Sequence, residues 1–251
     1  MKVLIKSLFT PIYYFFWSTY ITIMGSIFRT KIESGYDIPI IINNRNRLTF
    51  LKKLIHSLES KGYSNIYIID NKSNYQPLLD YYENCPYKIF RLDKNIGYLA
   101  LWKTNIYKYF IRDFYVYTDS DVVPTDNCPN DFLDQFLYKM RSDKKLMKIG
   151  LSLNIDDLPD TFSMKQQVID WENQYWKNES DDCKFYIANV DTTFALYRPF
   201  MKGGASRLKM YRSKKPLSAF HMPWYNDSEN LSEEENFYIK NAKTSTHWTS
   251  K

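Results

Sequence analysis

Glycine is scarce in this chain, seven among 251 residues, and its positions exclude more than they allow. None falls between Gly35 and Gly62, so residues 43–47 (NNRNR), which follow the first strand-like run, contain no glycine. That removes the G-x-G-x-x-G fingerprint of dinucleotide dehydrogenases. It also removes the glycine-rich triphosphate loop expected of a nucleotidyltransferase, the nearest enzymatic alternative. Cysteine is sparser still. Cys85, Cys128 and Cys183 are odd in number and contain no C-x-x-C pair, which fits a reducing compartment and excludes a cysteine-built structural zinc site. No repeat or low-complexity tract interrupts the sequence. The charge excess is mild, +6 from 34 basic and 28 acidic residues. It suits anionic small molecules or a membrane surface, and no nucleic-acid partner is expected from it. What is present is ample apolar material, 44% of residues, enough to fold as one large domain or two small ones.

Residues 8–28 (LFTPIYYFFWSTYITIMGSIF) carry no formal charge and are flanked by Lys2, Lys6, Arg29 and Lys31. Their number would cross a bilayer. Pro11, the Ser and Thr residues and the Tyr/Trp cluster equally suit a helix lying in the interface. Basic residues at both ends leave the positive-inside rule silent, and no small-x-small cleavage site follows. Residues 1–31 are therefore expected to form a hydrophobic helix that contacts a membrane, spanning it or lying on it.

From residue 38 the pattern alternates. Residues 38–44 (IPIIINN), 65–70 (NIYIID), 87–92 (YKIFRL) and 113–121 (DFYVYTDSD) read as strands. Helices are expected over 47–62, with Gly62 as the stop, over 75–84, and over 97–110. Such repeats indicate an α/β sheet with right-handed crossovers, whose ligands sit beyond the carboxyl ends of the strands. Further on, 132–140 and 164–176 read as helices and 148–155 as one strand. Residues 185–199 read as a β segment interrupted near Asp191, and 226–238 as the start of a last helix. Residues 202–215 hold six basic residues and no acid, which suits a mobile loop.

Asp119 and Asp121 stand one residue apart at the end of the fourth strand. Two like charges there need compensation. A hard divalent cation supplies it and also offsets the charge of a departing diphosphate. In order, IIINNRNR, YIIDNKS, RLDKNIGYLALWK and YVYTDSDVVP resemble the nucleotide-binding half of GT-A glycosyltransferases close to family 2. GLSLNIDDLPD, VIDWENQYW, NVDTTFALYR and HMPWYND resemble the later half of small bacterial and viral family-2-like members. The likeness runs over residues 38–250.

This resemblance implies an α/β, GT-A (Rossmann-like) single domain over 32–251 with a mixed central sheet. Residues 38–124 would form its nucleotide-binding half and 125–251 its acceptor half. It implies contacts to the nucleotide from Asn43, Arg47, Asp70, Asn95, Gly97 and Asp119. A divalent metal, Mn²⁺ or Mg²⁺, would sit on Asp119, Asp121 and His221. Asp191 would be the general base or acceptor-orienting carboxylate, with Glu172 and Glu234 as alternatives because the family's usual E-D pair is absent here. The implied partners are a nucleotide-sugar donor, most often a UDP-sugar, and a glycan or lipid-linked acceptor, at the cytoplasmic face of a membrane. The non-enzymatic alternative is a glycan- or membrane-binding relative, which would have no use for DSD at a strand tip.

Overall fold

The structure is a computed structural model, and it describes residues 2–27, 30–190, 194–204 and 208–242. A long first helix, α1 (Lys2–Ile27), precedes an alternating stretch of β1 (Ile40–Asn44), α2 (Thr49–Ser60), β2 (Ile66–Asp70), α3 (Gln76–Glu83), β3 (Lys88–Arg91) and β4 (Tyr115–Asp119). Beyond it come β5 (Val122–Pro124), α4 (Phe132–Ser142), β6 (Lys148–Gly150), β7 (Ser152–Leu153), α5 (Lys165–Asn173) and β8 (Phe185–Ile187). The described chain ends with β9 (Ala195–Tyr197), β10 (Met210–Ser213), β11 (Ser218–His221) and α6 (Glu233–Asn241).

Eight strands form the main sheet in the order β3-β2-β1-β4-β9-β6-β10-β8. The first four are parallel; β9 runs antiparallel to both β4 and β6, and β8 antiparallel to β10. A small second sheet, β5-β11-β7, stands beside it. The fold is thus α/β, Rossmann-like, with a mixed central sheet, as the GT-A resemblance implies.

Alternation along the strands divides the core in two. Ile40, Ile42, Ile66, Ile68 and Val116 face Leu51, Leu54 and Leu58 of α2 and Phe132 and Phe136 of α4. Ile41, Ile69, Tyr115 and Tyr117 face the other way, onto Leu101, Ile106, Phe110 and Met201. Helix α1 joins this second layer through Tyr14, Trp17, Ile21 and Met24, a stripe at three- and four-residue spacing. Its outer side exposes Ile12, Tyr13, Phe15, Phe16, Tyr20, Ile23 and Ile27. No helix among the described residues is long and apolar enough to cross a membrane. Helix α2 stops where expected, with Gly62 at φ +91 just past its end.

Three expectations change. Residues 97–110 form two 3-10 turns, Gly97–Leu99 and Asn105–Tyr109, instead of a helix. The Thr104 hydroxyl donates to the Ala100 carbonyl and accepts from the Ile106 N–H, offering the backbone a local alternative. Residues 148–155 divide at Leu151, whose N–H donates to Phe194 O, so that β6 and β7 enter different sheets. Within the basic segment 202–215, residues 210–213 are strand β10 of the main sheet, flanked by β6 and β8. Its charge is internal: Arg212 is 0% exposed, and its Nη1 donates to Glu172 Oε2 at 2.7 Å.

Candidate functional site

The parallel strands β1, β2 and β4 end on one rim, with Asn43 in register with Asp119 and Asn44 with Asp70. Asn43 Nδ2 donates to Asp119 Oδ1 at 3.1 Å. The chain then turns at Ser120 and Asp121 and re-enters as β5, which pairs antiparallel with β11 and sets Val122 opposite His221. The Met222 N–H donates to Asp121 O at 2.8 Å, fixing the start of the HMPWY turn. His221 Nε2 consequently lies 3.8 Å from Asp121 Oδ2, with its ring 4.6 Å from that of Trp224.

The β1–α2 loop manages without glycine. Asn46 takes the left-handed conformation, φ 54, which asparagine tolerates. Its Oδ1 accepts the N–H groups of Asn74 and Tyr75 at 2.7 and 3.2 Å, and its own N–H donates to Ser73 Oγ. Two strand-end loops are thereby joined by an amide side chain. Asp70 Oδ1 accepts the Ser73 N–H at 3.1 Å. Burial pushes the Asp70 carboxyl above its ordinary value, against the opposing pull of Ser73, Arg91 and Arg45. Next to it, Asn71 holds the third loop, donating to Gly97 O at 3.0 Å and accepting from Ile96 N at 2.7 Å. Asn95 Oδ1 accepts the Gly97 N–H, and Gly97 sits at φ +77 with no atom within 4 Å of where a Cβ would be. A bound group has open access to that backbone.

Arg47 lies at the centre of the charges. Its Nη1 donates to Asp121 Oδ2, while Nε and Nη2 donate to the two oxygens of Glu235 at 2.9 and 3.0 Å. The Tyr238 ring covers the guanidinium at 3.8 Å. Burial works against the cation, yet Asp121 and Glu235 hold the Arg47 pKa above its ordinary value. Burial raises the Glu235 carboxyl despite Arg47. In this structure, then, an arginine compensates the second aspartate of DSD. Glu235 and Tyr238 had no sequence motif to announce them; Asn226, whose Nδ2 donates to Glu235 at 3.3 Å, lies within the HMPWYND stretch but had no role assigned to it.

Of the three carboxylates considered for proton transfer, Asp191 lies outside the described residues. The structure gives the alternatives other roles. Glu172 is buried against Arg212, which also donates through Nε to Asn189 O and stacks on Tyr175. Glu234 accepts the N–H and hydroxyl of Thr49 and so caps α2. Both carboxylates are buried and engaged in these contacts.

For a divalent cation, the donor chemistry is suitable: hard carboxylate oxygens from Asp119 and Asp121, and an imidazole nitrogen from His221. Among the described residues, however, no three His, Cys, Asp or Glu side chains surround one cation position.

No family model matches the sequence, and no curated protein matches it. Solved structures do. TarS residues 1–349 from S. aureus shares 11% identity over 74% of this chain and 60% of that one, at a TM-score of 0.43. GalNAc-T7 with UDP, GalNAc and Mn²⁺ shares 13% over 70% of this chain and 42% of that one, at 0.46. A 4-diphosphocytidyl-2C-methyl-D-erythritol synthase from Anaerococcus prevotii shares 10% over 83% and 100%, at 0.38.

Proposed function

We propose that the protein is a glycosyltransferase that moves a sugar from a nucleotide-activated donor to a hydroxyl of a glycan or lipid-linked acceptor. One observation carries the reading. Asn43, Asp70 and Asp119 lie at the carboxyl ends of three adjacent parallel strands, as the last residue or the one before it, and Asp121, His221 and Arg47 meet on the same rim. In an open α/β sheet this rim is where a nucleotide binds. The motif order that resembles family-2-like GT-A enzymes falls on the same residues.

Asp70, Asn43 and the uncrowded backbone at Gly97 would receive the nucleoside, with a UDP-sugar as the expected donor. Asp119 and Asp121 would orient the diphosphate. Mn²⁺ or Mg²⁺, held by Asp121 and His221 with Asp119 beside them, would neutralise charge on the leaving diphosphate. Asp191, on the acceptor half, is the proposed residue to take the proton of the attacking hydroxyl. The outer aromatic side of α1 would hold the protein on the cytoplasmic face of a membrane, where lipid-linked acceptors are found.

The test is donor hydrolysis and transfer by the full chain across a panel of nucleotide sugars, with Mn²⁺, Mg²⁺ or EDTA. Metal-dependent release of one nucleoside diphosphate, reduced roughly 10²–10³-fold in Asp119→Asn/Asp121→Asn, supports the reading. Folded protein that neither turns over nor binds any nucleotide refutes it.

A further inference from the structure

Asp121 has an internal cation. Arg47 reaches it with one nitrogen only, Nη1, while Nε and Nη2 form a two-bond grip on Glu235. The Arg47 and Glu235 side chains are 7% and 5% exposed, and Tyr238 closes over the guanidinium. The guanidinium is thus fixed from two sides without Asp121. It also keeps its proton at any working pH.

The Asp121 oxygen that Arg47 occupies, Oδ2, is also the one 3.8 Å from His221 Nε2. A divalent ion on Asp121 and His221 would take Nη1's acceptor away. It would then stand a few ångströms from a positive charge that can neither deprotonate nor easily leave Glu235. Between two cations in a dry pocket the repulsion is strong. A diphosphate changes its sign. Its oxygens add ligands to the ion, give Nη1 a new acceptor and place negative charge between the two.

We infer that Arg47 makes cation binding conditional on the diphosphate: the site rejects a bare divalent ion and accepts one that arrives with a nucleoside diphosphate. This inference rests on the cation-assisted reading above. Coupling of this kind is reciprocal, so the ion strengthens diphosphate binding by the same factor. A lysine would preserve the charge but lose the simultaneous grip on Glu235 and Asp121.

The experiment measures Mn²⁺ binding by the full chain from the electron paramagnetic resonance signal of free ion, with and without UDP. Wild type, Arg47→Met, Arg47→Lys and Asp121→Asn are compared. Wild type is expected to bind Mn²⁺ at least tenfold more tightly with UDP than without. Arg47→Met should bind Mn²⁺ alone at least tenfold more tightly than wild type does and gain less than threefold from UDP. Arg47→Lys should stay within threefold of wild type for Mn²⁺ alone. Arg47→Gln carries the same neutral test if the methionine variant does not fold. Mn²⁺ should also raise the melting temperature of the neutral variant more than that of wild type.

If the neutral variant binds Mn²⁺ alone no better than wild type, while wild type with UDP binds it in an Asp121-dependent way, the inference is overturned and the cation-assisted reading stands. An equal gain in Arg47→Lys overturns it as well, since charge is then not the cause. Absence of Asp121-dependent Mn²⁺ binding in wild type with UDP and in the neutral variant overturns both.

Discussion

The Glu234 carboxylate accepts the backbone N–H and the hydroxyl of Thr49, 185 residues earlier in the chain, at 3.0 and 3.1 Å. Helix α2 has no cap of its own, because the residue before it is Leu48. A glutamate from the last described helix serves instead, and its charge suits the positive end of α2. Its neighbour Glu235 holds Arg47, two residues before Thr49. Two consecutive acids of α6 thereby fix the loop between β1 and α2.

Removing the cap lowers stability more than it lowers metal affinity. Glu234→Ala should cost about 2 kcal/mol, the range of a lost helix cap with a charged acceptor. Glu234→Gln, which keeps an acceptor, should cost less. Urea denaturation measures both, and an unchanged midpoint in the alanine variant would refute the capping role.

Arg212 and Glu172 form a buried pair, so single and double substitutions should diverge. Arg212→Met alone breaks the buried ion pair with Glu172 and should cost about 3–5 kcal/mol. Arg212→Met/Glu172→Leu should recover most of that loss. If the double variant is as unstable as the single one, the cost lies in packing and not in the broken ion pair.

The two sides of α1 should respond differently. Phe15 and Phe16 are each 66% exposed, whereas Ile21 is fully buried. Phe15→Ser/Phe16→Ser should leave the melting temperature of the globular part unchanged and weaken binding to anionic vesicles about tenfold or more. Ile21→Ala should instead cost about 2–4 kcal/mol of stability. Vesicle co-sedimentation and thermal melts separate the outcomes, and undiminished vesicle binding by the serine variant would remove α1 as the membrane contact.

Asp182 provides the pH dependence. Burial alone would raise its carboxyl, but Lys139, Ser180 and the Lys184 N–H outweigh this and hold the pKa down to about 2, from 3.8. A depressed carboxyl stabilises the fold above its unfolded value and loses that contribution as pH falls toward the folded one. Asp182→Asn should therefore be less stable than wild type at pH 7 by under about 1 kcal/mol, since the pair is partly exposed. The difference should fade between pH 4 and pH 2. A constant difference across that window would disprove the linkage.

The parallel half of the fold was legible in the sequence because its strands are short apolar runs bounded by polar residues, a pattern set by local chemistry. Asp70, Asp119 and Asp121 could be located by their positions at strand ends. Arg47's pairing with Asp121 and Glu235 had no local signal, since its partners are 74 and 188 residues away. Strand β10 was concealed because Lys209, Arg212, Lys214 and Lys215 look solvated when counted by charge. The buried Glu172 that neutralises Arg212 lies in a helix 40 residues upstream. Residues 97–110 have helical composition, yet one threonine hydroxyl redirects the backbone.

The position of β10 and α6 also sets a timetable for synthesis. A ribosome releases β1–β4 early, and these can pair at once. Strand β6 then has an unfilled edge until residues 210–213 emerge, and β5 and β7 lack the strand between them until residues 218–221 follow. Glu235 emerges later still. A nascent chain stopped at residue 200 has its aspartates, but neither His221 nor the acid that anchors Arg47. It also presents an unpaired strand edge that chaperones or proteases recognise. The site is therefore complete only once the chain has been made through α6.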